Sequence, residues 1–67
     1  MEITWVFRAG MCITIIGPIL ATIIEQDGRW HYAVCDLEWR HEDLYKDAHS
    51  FEVSKALCEH HIRKRVA

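Results

Sequence analysis

Proline occurs once and glycine three times in these 67 residues. That scarcity excludes flexible linkers and low-complexity tracts, and the chain divides at only a few points. Cysteine is sparse and odd in number. Cys12, Cys35 and Cys58 cannot all pair within one chain, and no Cys-x-x-Cys occurs. Small secreted domains carry dense, even sets of cysteine. These three thiols read instead as reduced, small core hydrophobes, and a cytoplasmic location is expected. Excess positive charge is also missing. Eight Lys and Arg stand against ten Asp and Glu, a net charge of −2, which disfavours bulk attraction to nucleic acid.

A membrane-spanning run is lacking as well. Met11 to Ile24 is uncharged but only fourteen residues long, short of the ~20 a spanning helix needs. Extension back to Ile3 meets Arg8, Gly10 and the Gly17-Pro18 pair. The isoleucines and threonines of the run are stiff, β-branched residues that favour strands. Met1-Glu2 is acidic where a secretory leader has a basic start, and no lipidation motif is visible. No membrane association is expected.

What is present is globular. Hydrophobic residues make up 51% and charged residues 27%. The length allows one domain, over residues 1–67, with a thin core. A chain of this size usually needs disulfides, a metal or a second protein surface to complete its stability.

Glu2 to Arg8 alternates, with Ile3, Trp5 and Phe7 on one side, and predicts a half-buried strand. Ala9-Gly10 turns the chain into a second strand over Met11–Ile16. Gly17-Pro18 interrupts it, because proline cannot donate to a sheet ladder. The chain then either resumes after a bulge or starts a new strand, and Ile19–Gln26 is strand-like. Asp27-Gly28 is the sharpest local signal, since a tight hairpin turn of type I′ requires positive φ at both central residues. A two-residue loop pairs Gln26 with Arg29, Ile23 with Tyr32 and Ala21 with Val34. Arg29–Leu37 is the return strand. Glu38–His49 is polar and mixed, and reads as a long loop, a short helix or an irregular edge strand. Ser50 suits a helix N-cap. Glu52 and the run Arg63-Lys64-Arg65 complement the two ends of the helix dipole. Phe51, Val53, Leu57, Cys58, His61 and Ile62 share one broad helical face, whereas Lys55, Glu59 and His60 fall outside it. The expected fold is α+β: a small antiparallel sheet of three to four strands with one C-terminal amphipathic helix packed on one face.

Chemistry-bearing residues are scattered. Cys58 and His61 lie three apart on the helix, and a zinc ion shared with Cys35 is conceivable, yet the paired short spacings of zinc sites are absent. No metal and no cofactor is expected. Cys58 as a nucleophile with His61 as its base is disfavoured by the position of Cys58 on the core face. The expectation is a non-enzymatic chain.

Charge segregates along the sequence. Residues 25–52 carry eight acids against three bases, and residues 53–67 carry a net +3. Three tryptophans in so small a domain leave at least one partly uncovered, and tryptophan is common in interface hot spots. The leading expectation is a protein-binding module, such as an inhibitor or accessory factor of the phage or mobile-element kind. It docks on a larger partner through the acidic, aromatic surface of Trp39, Arg40, Glu42, Asp43, Tyr45 and Asp47. The first alternative is a nucleic-acid-binding module that uses His60, Arg63, Lys64 and Arg65, although four positive charges are a thin footprint. The second is a homo-oligomer subunit, with a homodimer as the partner arrangement, because the strands from Ile3 to Ile24 carry apolar residues on both faces and one helix covers only one.

Overall fold

Three two-residue turns set the course of the chain. The computed structural model describes residues 2–38 and 41–66, with the backbone alone for residues 41–43. Strands β1 (Val6–Arg8), β2 (Met11–Ile16), β3 (Ile19–Gln26), β4 (Arg29–Asp36) and β5 (His41–Ala48) precede one helix, α1 (Phe51–Val66). The strands form a single antiparallel sheet in the order β1-β2-β3-β4-β5. Each strand therefore pairs with its neighbour in sequence. The class is α+β as expected, but the sheet has five strands rather than three to four.

The extra strand comes from the segment left open between loop, helix and edge strand. Its acidic residues have weak strand preference. Pairing with β4 overrides that preference over eight residues. Val34 pairs with Leu44 and Cys35 with Glu42. Asp43 is thus the additional residue of a β-bulge, which locally bends an edge.

Ala9 and Gly10 have φ of 49° and 76°, and Asp27 and Gly28 have φ of 54° and 78°. Both pairs show the double positive φ of a I′ turn, whose twist matches that of the flanking strands. The Asp27-Gly28 hairpin keeps the expected register at all three predicted pairs. Gly17 has φ of 58°, and Pro18 brings its fixed negative φ. One positive φ at the first central position suits a II′ turn. Gly17-Pro18 therefore starts a new strand rather than a bulge.

The first strand is shorter than its alternation suggests. Thr14 Oγ1 donates to the Thr4 carbonyl at 2.7 Å, so a side chain takes that acceptor and residues 2–5 lie outside the regular ladder. Ile3 and Trp5 still pack on the core from this irregular segment.

Helix α1 begins as read. Ser50 Oγ accepts the Val53 N–H at 3.2 Å, the bond of an N-cap. The buried line along the helix is Ser54, Cys58 and Ile62, spaced by four residues. This differs from the expected face. Val53 and Leu57 are exposed, whereas Lys55 and Glu59 are half-buried. The helix is rotated so that polar side chains can reach partners under it, as described below. The core unites that line with Cys12, Ile19, Ala21, Ile23, Tyr32, Val34 and Ala48 from one face of the sheet.

Backbone strain at the turns yields opposite predictions for two neighbouring substitution types. Gly28→Ala meets no atom within 4 Å, so its cost is conformational, about 1–2 kcal/mol. Ala9 already occupies positive φ, and Ala9→Gly relieves strain there, raising stability by up to about 1 kcal/mol. Urea unfolding midpoints check both signs.

Candidate interaction surface

Strand alternation sorts the side chains onto two unlike faces. Cys12, Thr14, Ile19, Ala21, Ile23, Tyr32, Val34 and Asp36 point to the helix side and are buried. The residues between them point the other way. Register aligns these in rows across the sheet. One row is Arg8, Met11, Ile24, His31 and Asp47. The next is Val6, Ile13, Thr22, Ala33 and Tyr45. A third is Ile15, Leu20 and Cys35, with Glu42 at the end by register. Among the described residues no helix or strand lies over this second face. Ile15 is 61% exposed, Tyr45 60% and Val6 51%. The centre of the face is half-buried. Isolated apolar side chains on a surface are ordinary, but contiguous ones mark an interaction surface.

A shallow groove of about 460 Å³ runs along the β1–β2 side, lined by Thr4, Val6, Arg8, Ile13, Thr14 and Ile15. At the opposite margin, β5 brings Tyr45 and Asp47 to the same face. The Tyr45 ring lies 6.4 Å from that of His31. Asp47 accepts from Arg29 Nε at 3.0 Å. That hydrogen bond holds its carboxyl below the usual carboxylate range, aided by the positive charge of Arg29. Arg29 Nη1 also lies 3.0 Å from His49 Nδ1.

Of the expected acidic and aromatic residues, Tyr45 and Asp47 thus share the helix-free face. Glu42 stands opposite Cys35 in register, and Asp43 falls at the bulge. Trp39 and Arg40 lie outside the described residues. The expected basic patch is partly committed within the chain. Arg65 forms an ion pair with Asp36, whose side chain is almost fully buried. Arg63 Nη1 lies 3.6 Å from Glu59 Oε1. His60 and Lys64 are exposed.

Two polar ties escaped the sequence reading. Trp5 Nε1 donates to Glu59 Oε2 at 2.7 Å across 54 residues. Asp36 holds Arg65, and its Oδ1 accepts the Glu38 N–H at 3.0 Å. The signal was there in part: Asp36 has the same strand parity as Tyr32 and Val34, and Arg65 follows Ile62 by three residues. An acid on a core-facing position requires a partner.

A zinc ion shared by Cys35, Cys58 and His61 does not match this geometry. Cys58 lies under the helix and Cys35 faces the other side of the sheet. Among the described residues no three His, Cys, Asp or Glu side chains cluster closely enough to hold a metal, and no helix is long and apolar enough to cross a membrane. Burial pushes the Cys58 thiol up to about 12, with Glu59 adding to the effect. Burial also raises Cys12, and it raises Tyr32. A thiol with so high a pKa is a poor nucleophile at neutral pH.

Two predictions follow from these buried groups. Arg65→Ala leaves the Asp36 carboxylate buried without its guanidinium and lowers stability by about 2 kcal/mol, read from the urea midpoint at unchanged slope. Cys58 keeps its proton in the folded chain while an unfolded thiol, with its ordinary value of 9.0, releases it. Its raised value therefore contributes stability that is whole below pH ~9 and is lost as pH rises toward about 12. A pH series of unfolding midpoints shows this alkaline decline, and Cys58→Ser lessens it, leaving the part that Cys12 and Tyr32 contribute.

No family model, no curated protein and no solved structure matches this chain.

Proposed function

We propose that this chain is a non-enzymatic protein-interaction module. It acts by docking the helix-free face of its sheet on another protein, with the acidic, aromatic margin of β5 beside the contact. The observation that carries the reading is the mismatch between one helix and a sheet with two apolar faces. Docking releases water from Ile15, Val6 and their neighbours, at roughly 25 cal/mol for each Å² of apolar surface removed. Asp47 and the β5 acids favour a basic rim on the partner and raise the rate of encounter. Steric blocking or bridging of that partner is the functional consequence, as in an inhibitor or accessory factor.

The nucleic-acid alternative draws less support. Two of the four basic-end residues, Arg63 and Arg65, lie against acids of the same chain. That removes charge from a footprint that was already thin.

Capture from an extract of the native host tests the reading. Ile15→Glu and Asp47→Lys are expected to remove proteins that the unmodified chain retains. Leu57→Glu, on the outer side of the helix, is expected to leave them. Equal capture by all variants overturns the proposal, and so does a mobility shift of generic DNA or RNA at low salt that Lys64→Glu abolishes.

A further inference from the structure

We infer that the occupant of the helix-free face is a second copy of this chain, packed sheet to sheet about a two-fold axis that runs along β3. The inference rests on the docking reading above and names its partner. It comes from the distribution of residues across the face.

The face is lopsided in two respects. Its β1–β2 half carries the large side chains Val6, Met11, Ile13 and Ile15, whereas β4 carries the small residues Ala33 and Cys35 beside the larger His31. Its charges are lopsided too. Arg8 ends one row at the β1 edge, and Asp47, which also accepts from Arg29 of its own chain, ends the same row at the β5 edge. A closed dimer uses one patch twice, so that patch must complement itself.

Rotation about β3 satisfies both conditions together. It preserves height along the strands and exchanges the two edges. Leu20, Thr22 and Ile24 then meet their own counterparts at the centre. Ile13 comes over Ala33 of the second copy and Ile15 over Cys35, large on small. Arg8 comes over Asp47. The exposed Tyr45 ring comes over Val6, which lines the 460 Å³ groove together with Arg8, Ile13 and Ile15. The other in-plane axis, across the strands, sets β1 on β1 and places the large half upon itself, with Arg8 and Asp47 each remaining at its own edge.

Size is consistent with this arrangement. Four inter-strand spacings of ~4.8 Å and six residues at ~3.3 Å give roughly 19 by 20 Å. A pair hides about 800 Å² in projection, and side-chain relief carries the accessible area toward the ~1,000 Å² that is the lower bound for a specific interface. Two sheets packed face to face lie about 10 Å apart and interdigitate their side chains. Each helix then lies on the outside of a four-layer assembly.

Sedimentation equilibrium on the full chain and two charge variants provides the test. The unmodified chain is expected at twice its 7.9 kDa mass. Arg8→Glu puts two acids opposite each other at both ends of the interface. Asp47→Arg puts two bases there. Each alone is expected to weaken association about tenfold or more. An equimolar mixture of the two variants restores both opposite-charge pairs, and is expected to recover dimers of mixed composition. Circular dichroism confirms that each variant is folded, and Ile13→Glu gives a second disruption of the same face, independent of the Arg8–Asp47 pairing.

A monomeric chain at all concentrations overturns the inference, and so does a dimer that ignores Ile13→Glu or is not recovered by mixing. These failures are separable from failure of the docking reading. A monomer whose capture of a host protein is abolished by Ile15→Glu retains that reading and loses only the second copy. A monomer whose capture is insensitive to Ile15→Glu loses both.

Discussion

The contact between one line of helix residues and one face of the sheet supports the rest of this molecule. Cys58 and Ile62 share a core with Ile23, Tyr32 and Val34, and Ser54 is buried in line with them. Ser54 is accommodated there because its hydroxyl donates back to the Ser50 carbonyl at 3.0 Å, which satisfies that buried donor. A core so narrow has little redundancy. A cavity at Ile62 removes a large share of it, since truncating a buried isoleucine costs ~2–5 kcal/mol against a total stability of about 5–15 kcal/mol.

Around that line, long-range polar and aromatic ties fix where the helix lies. Trp5 reaches Glu59, and Asp36 reaches Arg65. Phe51 lies 5.8 Å from Phe7 and 5.4 Å from Trp30 between ring centroids, distances at which aromatic edges attract. These ties engage both ends of the helix and the sheet beneath it. They explain why Val53 and Leu57 face solvent although their hydrophobicity suggests otherwise. Rotating the helix to bury them would move Glu59 and Arg65 away from their partners. The cost of parting the buried Asp36 carboxylate from the Arg65 guanidinium outweighs the gain from burying a half-exposed leucine.

The uncovered face follows from the same economy of elements. A five-strand meander has two faces, and the described residues supply one helix. Isoleucine and leucine on the second face are the residue types of a sheet buried on both sides. The docking reading and the two-fold arrangement both stem from that surplus. The β-bulge at Asp43 and the charges of β5 give that edge features that oppose strand-to-strand aggregation, which favours contact through the face over contact through the edge.

Local rules made much of the fold legible. Asp27-Gly28 encoded a hairpin together with its register, because the turn type demands positive φ that few residue pairs accept. Ser50 marked the helix start by its hydroxyl. Residues 41–48 were not legible as a strand, since acids and histidine have weak strand preference and the ladder with β4 decides the matter. Tyr45 and Asp47 were legible as surface residues, but not as neighbours of Ile13 and Leu20 on one face, which depends on register across four strands. The amino-acid sequence by itself determined the turns at Ala9-Gly10 and Asp27-Gly28, the strand character of residues 11–16, 19–26 and 29–36, the helix and the excess of apolar surface, because these depend on residues close together in the chain. Only the tertiary structure decided the fifth strand, the rotation of the helix and which face stays uncovered. Each depends on partners dozens of residues apart, whose bonds no local pattern records.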